Sequence, residues 1–257
     1  MKRVLFFLAL SSFLFADPIK IAMDNQFPPF EFQKGSKIIG FDVDFAEELA
    51  KRVGFEFQIV QTQYDNACSA INSGNADIGI SAFGDDDATR DCDHGVSYFE
   101  SEYIFIKDKA TRDINYISDL KDKKVAYDRD SSAMKDILTE LEAKPVPKKS
   151  GTIVSTLLSL YEGKVDAAII DSCNAPIVRG KTEFVSQRDL TGLGLIDNGG
   201  LDRFVIFHEQ QAYDSETFVI FPKDGRHEEL KNKINNAILQ MRNDGTIPNL
   251  LKKYGLD

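Results

Sequence analysis

The chain has 257 residues, of which 42% are hydrophobic, 28% charged and 11% aromatic, with 17 Gly, 8 Pro and no Trp. That composition is globular and excludes a disordered or collagen-like chain, and the length suffices for two lobes or one large α/β unit. Asp and Glu outnumber Lys and Arg by 41 to 31, a formal charge of −10. So acidic a surface repels phosphate backbones and anionic membranes, which argues against nucleic acid as a partner.

Lys2 and Arg3 lead into the apolar residues 4–10, two serines, then Phe13, Leu14, Phe15 and Ala16, after which Asp17 and Pro18 open a charged sequence. A positive start, a short apolar run and a small residue at the cut make residues 1–16 a secretory signal peptide. The run falls short of the roughly 20 residues a membrane-spanning helix needs. Loss of Lys2 and Arg3 takes the formal charge from −10 to −12, and the expected product is residues 17–257 in a bacterial periplasm. In that compartment Cys68, Cys92 and Cys173 allow either one disulfide with a free thiol or three buried thiols. Neither the spacing of the cysteines nor the histidines, His94, His208 and His227, which stand alone, suggest a metal site, and no other cofactor is expected.

In chain order, Ile19, Ile21 and Met23 form one face of a strand ending at Asp24. The prolines of Phe27-Pro28-Pro29-Phe30 then force a loop, because Pro cannot donate to a ladder. Phe41, Phe45, Leu49 and Val53 recur at steps of four as one face of a helix stopped by Gly54. Residues 55–60 read as the second strand, Asp65 is placed to cap a helix closing at Ser73 and Gly74, and residues 76–80 read as the third. Alternating strands and helices imply a parallel sheet, with ligand sites beyond the carboxyl ends of its strands. Those ends are Asp24 onward, residues 61–64 and residues 81–90.

The pattern then restarts. Residues 123–127 form a strand, Ser131 and Ser132 start a helix carrying Met134, Ile137, Leu138 and Leu141, and residues 165–170 form a strand ending at Asp171. A second sheet is implied. A strand at residues 218–221 and a helix with Leu230, Ile234, Ile238 and Met241, closed by Asp244 and Gly245, complete the chain.

The run Ile21-Ala22-Met23-Asp24-Asn25-Gln26-Phe27-Pro28-Pro29-Phe30-Glu31-Phe32, followed by Gly40-Phe41-Asp42-Val43-Asp44-Phe45-Ala46, resembles the start of the periplasmic amino-acid-binding proteins of ABC importers, solute-binding protein family 3. Further segments agree in order: Tyr64-Asp65; Ile71-Asn72-Ser73-Gly74-Asn75-Ala76-Asp77; Leu120 to Val125; Glu162-Gly163-Lys164-Val165-Asp166 through Asp171; and Asp244-Gly245-Thr246 with Lys253-Tyr254-Gly255 at the end. The resemblance covers nearly all of residues 17–257. It implies an α/β, two-lobe periplasmic-binding-protein fold of type II, each lobe a mixed sheet flanked by helices. Residues 17–102 and 216–257 would form the first lobe and residues 103–215 the second, joined by hinge strands near residues 101–103 and 214–217.

By the same resemblance, Arg90 takes the α-carboxylate of an amino-acid ligand and Asp171 its α-ammonium from the opposite lobe. Ser131 and Ser132 offer a helix N-terminus to the carboxylate. Phe27 and Tyr64 are aromatic walls, Asp24 meets the ligand side chain, and Ser81, Ala82 and Gly84 line the pocket at the end of the third strand. The sequence departs from the family in that loop, where Gly84 replaces a hydroxyl residue, Asp85, Asp86 and Asp87 follow, and the path to Arg90 is one residue longer. The triplet either competes for Arg90 and repels anionic ligands or is a solvated loop; in the first case a cationic ligand or a non-standard amine is favoured. Asp130 likewise stands where Gly is common. The function implied is non-catalytic: a monomeric receptor for a polar amino acid or related amine, delivering it to an inner-membrane ABC permease. The alternative is a periplasmic dehydratase using Asp24, Asp85 or Asp86 as general acid.

Overall fold

The computed structural model describes residues 17–128, 131–148, 153–180 and 201–256. The signal-peptide reading of residues 1–16 and the departure at Asp130 lie outside them.

β1 (Ile19–Met23) pairs in parallel with β5 (Phe57–Gln61) and β6 (Ile78–Phe83), as the apolar runs predict. Between β1 and β5 the chain makes a small three-stranded sheet, β2 (Gln26–Phe27), β3 (Glu31–Lys34) and β4 (Lys37–Ile39), with the expected proline loop confined to its first turn. Helix α1 (Phe41–Val53) follows, with Asp42 and Asp44 in its first turn and Lys51 and Arg52 in its last, and Gly54 ends it in the left-handed conformation. Helix α2 spans Ala67–Asn72; Asp65 lies in the 3₁₀ turn before it, not at its cap, and Asn66 holds the cap position.

The second half contains β8 (Lys124–Asp128), α3 (Ser132–Glu140), β9 (Lys144–Lys148), α4 (Ile153–Tyr161), β10 (Ala167–Asp171) and α5 (Ala175–Val178). Ser131 caps α3 as expected, its hydroxyl accepting from the Met134 N–H at 3.1 Å. β9 carries Pro145 and Pro147, tolerated because it is the edge strand of the sheet. Helices α6 (Glu228–Asn243) and α7 (Thr246–Tyr254) end the described chain.

The expected second sheet is instead continuous with the first. β7 (Cys92–Asp108, 17 residues) and β11 (Phe204–Pro222, 19 residues) run antiparallel through both halves, giving one eight-stranded order, β5-β1-β6-β11-β7-β10-β8-β9. The apolar interior is nevertheless divided. Ile21, Phe41, Phe45, Ile234 and Ile238 pack on one face of the first half, and Ile71, Phe83 and Ile220 on the other. In the second half, alternation along β7 and β10 sends Ile104, Ile106 and Ile170 toward α4, and Phe105 and Ile169 toward α3. Between the halves the β7–β11 register slips: Gln211 faces Glu102, yet Glu216 faces Glu100. The surplus residues of β11 bulge out there and locally interrupt the ladder.

Of the two thiol arrangements open from sequence, the structure has the disulfide. Cys68 of α2 is bonded to Cys92 at the start of β7, and Cys173 is a buried free thiol. A crosslink closing a separation of 24 residues restricts the unfolded chain. Replacing both cysteines by Ala is expected to lower stability by about 2–4 kcal/mol. A urea midpoint unchanged from the oxidised protein would contradict a stabilising role.

Candidate ligand-binding site

The parallel strands β1 and β6 deliver Asp24 and Ser81 side by side. The Asp24 N–H donates to Ser81 Oγ at 3.0 Å, and the Asp24 carboxylate accepts from the N–H groups of Asn25 (2.6 Å) and Tyr64 (3.1 Å). One carboxylate thus fixes the loop after β1 to the loop after β5. Tyr64 lies 5.0 Å from the Phe83 ring, and its hydroxyl accepts from the Gly84 N–H at 3.1 Å while donating to Asp86 Oδ2 at 2.7 Å. Burial and the Asp86 carboxylate push the Tyr64 phenol well above its ordinary value, so it stays a neutral donor. Phe27, on β2, stacks at 5.5 Å on Phe30 and leaves 41% of its surface exposed.

Behind this surface lies a feature that sequence reasoning did not single out: a buried pair of carboxyls, Glu31 and Asp42. Gly40, at φ +139°, lets the N–H groups of Phe41 and Asp42 reach the carbonyls of Pro29 and Phe30, and any Cβ there would run into the Phe30 carbonyl. That stitch brings the first turn of α1 against β3. Ser81 Oγ donates to Glu31 Oε1 at 2.7 Å, while Asp42 accepts from the Ala82 N–H at 2.7 Å and from the Tyr98 hydroxyl at 2.9 Å. Ala82 is held at φ +44°, a left-handed conformation that its bond to Asp42 helps maintain. Glu31 Oε2 meets no other donor. It faces Asp42, and burial together with that negative neighbour drives the Glu31 carboxyl well above its ordinary range; burial pushes Asp42 up to about 6. A proton shared by the pair supplies the missing donor. The motifs Glu31-Phe32 and Gly40-Phe41-Asp42 were visible in the sequence, but their meeting required the turn at Gly40.

From the second half, Asp171 ends β10 opposite Tyr103 of β7. Its carboxylate accepts from the Cys173 N–H at 3.0 Å and the Ser101 hydroxyl at 3.2 Å, and burial raises its pKa, these neutral donors offsetting part of the cost. Burial pushes the Cys173 thiol well above its ordinary value, and the neighbouring Asp171 carboxylate adds to the rise. Cys173 also packs in the same apolar cluster as Phe30 and Phe99. β8 runs parallel beside β10, which puts Ser131 and Ser132 beyond the same sheet edge as Asp171.

Arg90 stands apart from this group. Its guanidinium is exposed and bonded to Asp87 at 2.7 Å, and its carbonyl accepts from Lys223, past the end of β11. Two residues on, the chain is tied to α2 by Cys92, with Asn72 bonded to the Asp91 carbonyl. Of the triplet, Asp87 engages Arg90, Asp86 accepts from Tyr64, Ala88 and Thr89, and Asp85 is exposed 3.9 Å from His94. Two of the three acids proposed for a dehydratase therefore have structural partners: Asp24 accepts two backbone N–H groups, and Asp86 closes the loop, while Asp85 is exposed.

Residues 19–257 match the model of the bacterial extracellular solute-binding proteins, family 3. The chain belongs to that family. It is 26% identical to the "Probable histidine-binding protein" of Campylobacter jejuni, over 93% of this chain and 85% of that one. It is also 26% identical to the "Arginine-binding extracellular protein ArtP" of Bacillus subtilis, over 89% and 82%. Among solved structures, an ancestral arginine-binding protein bound to arginine superposes with a TM-score of 0.62 at 26% identity, covering 93% of this chain and 99% of that one. The second substrate-binding domain of Lactococcus lactis GlnP, in open conformation, shares the fold with a TM-score of 0.70 at 22% identity, over 93% and 95%. These relatives are binding proteins, and none of those named here supports a dehydratase. Among the described residues, no helix is long and apolar enough to cross a membrane.

The carboxyl pair gives a pH dependence with a defined sign. Both groups hold protons more tightly folded than unfolded, so stability contributed by the shared proton is lost as pH rises from about 4 toward and beyond the value near 6 of Asp42. Glu31→Gln, which keeps an acceptor for Ser81 and offers an N–H to Asp42, should flatten that slope. It should gain on the order of 1–3 kcal/mol over the wild type between pH 5 and pH 8. Urea titrations at the two pH values read the difference, and an unchanged slope would remove the pair as its source.

Proposed function

We propose that this chain is a periplasmic receptor that captures an amino acid or related amine between two lobes and delivers it to an inner-membrane ABC permease. The lobes are residues 17–102 with 216–257, and residues 103–215. The observation that carries the reading is a polar network at the strand ends of one half, joining Asp24, Tyr64, Ser81, Ala82 and Gly84, with Asp171 ending β10 beside Cys173, which packs in the same apolar cluster as Phe30. Asp171 is a half-buried carboxylate bonded only to neutral donors. An ammonium group is the partner that relieves its desolvation. The divided core and the interrupted ladder between residues 211 and 216 support bending between the lobes at residues 101–103 and 214–217. Relatives whose names specify histidine and arginine support a nitrogen-rich ligand.

The mature chain acts as a monomer that closes on its ligand. A calorimetric screen of the twenty amino acids should find at least one that binds, and small-angle scattering should show compaction when it does. Asp171→Asn is expected to weaken that binding by about 2–5 kcal/mol, the usual consequence of breaking one side of a buried charged pair. Binding undiminished in this variant would remove Asp171 from the site.

A further inference from the structure

Pairing of β6 with β11 in the large sheet ends at Phe83, opposite Phe218. The next amide, that of Gly84, has left the ladder, and it donates to the Tyr64 hydroxyl at 3.1 Å. Beyond it the chain closes on itself. The Thr89 hydroxyl donates to the Gly84 carbonyl at 2.6 Å, and Asp86 Oδ1 accepts from the N–H groups of Ala88 (2.8 Å) and Thr89 (3.2 Å). Residues 84–89 thus form a compact turn, joined to the rest of its half at two ends. At the trailing end the ties are the Cys68–Cys92 disulfide, the bond from Asn72 to the Asp91 carbonyl and that from Lys223 to the Arg90 carbonyl. At the leading end the tie is Tyr64, which accepts from Gly84 and donates to Asp86 Oδ2 at 2.7 Å. Tyr64, Cys68 and Asn72 belong to one stretch, the 3₁₀ turn at residues 64–66 and helix α2 behind it, so that stretch grips the turn front and back.

Tyr64 is itself anchored. Its N–H donates to the Asp24 carboxylate, and its ring lies 5.0 Å from that of Phe83. Burial and the adjacent Asp86 carboxylate keep the phenol protonated, so one oxygen gives and takes a hydrogen bond at once. A phenylalanine supplies the same ring and neither bond. Accepting the receptor reading above, we propose that Tyr64 is a positioning residue: its hydroxyl, with Asp86 as partner, holds the turn at residues 84–89 in the geometry that captures the ligand. The turn follows the carboxyl end of β6, which runs parallel to β1, and that is where α/β sheets place their ligands. Without the hydroxyl, the Gly84 N–H and Asp86 Oδ2 lose their partner. The turn must then be ordered again at each capture, at a cost in affinity.

The experiment is a double-mutant cycle in affinity, read by calorimetric titration of the mature chain with whichever of the twenty amino acids binds the wild type most tightly. Tyr64→Phe keeps the ring. Asp86→Ser keeps an acceptor for the N–H groups of Ala88 and Thr89 but is too short to reach Tyr64. Each should weaken binding by at least about fivefold, and the double variant by about the larger single loss, because the two side chains act as one unit. A loss below about fivefold in either single variant overturns the inference. Losses that add in the double variant also overturn it, since the hydroxyl then meets the ligand itself. Both of those results leave the receptor reading standing, because the wild type has bound an amino acid. If none of the twenty binds, both readings fall. Melting temperatures without ligand check that the variants fold. Asp86 is exposed and is expected to tolerate serine, so if Tyr64→Phe does not fold, the affinity of Asp86→Ser decides by the same threshold.

Discussion

The antiparallel ladder of β7 and β11 is the constraint on which the molecule depends. These two strands alone belong to both halves of the interior, with Phe99 and Phe221 buried on one side of the register slip and Phe105 and Phe204 on the other. Every other strand of the large sheet pairs within one half. The two halves thus share this pair of backbones, together with Cys173, which follows β10 but packs against the apolar cluster of Phe30 and Phe99. The slip opposite residues 100–102 places the weakest stretch of ladder where the two cores stop.

The second organising element is electrostatic. Glu31 and Asp42 are fully buried and like-charged, an arrangement that folds only if a proton is retained or if the donors around it are well placed. Ser81, Ala82 and Tyr98 supply those donors, and in doing so they fix the backbone at the end of β6. The loop geometry at Ala82 is therefore coupled to the protonation of groups behind it. Binding proteins need such rigidity, because a site already shaped for its ligand does not have to order itself on capture.

Much of this was legible in the sequence. Phe41, Phe45 and Leu49 at steps of four gave α1, Ser131 gave the cap of α3, and the apolar runs beginning at Ile19 and ending before Asp171 gave β1 and β10, because helix and strand periods are local properties of the side-chain order. The chain order of motifs also identified the family that residues 19–257 match. Other features were hidden. The prolines at 145 and 147 masked an edge strand, and the polar residues through the middle of β7 and β11 masked their length.

What the sequence determined by itself was the set of local elements, the family, and the placement of Asp24, Ser81 and Asp171 at strand ends, since each follows from short-range pattern. What the tertiary structure decided was which residues meet around those ends, as Asp24 meets Ser81 and Asp171 meets Ser101. Whether Cys68 joins Cys92, whether Gly40 seats Asp42 against Glu31, and whether Arg90 turns toward the site or toward Asp87 are set by approaches between residues distant in the chain or by loop length. A guanidinium can reach only as far as its backbone is carried, and the backbone of Arg90 is carried by the loop into Cys92 rather than by the strand that ends at Phe83.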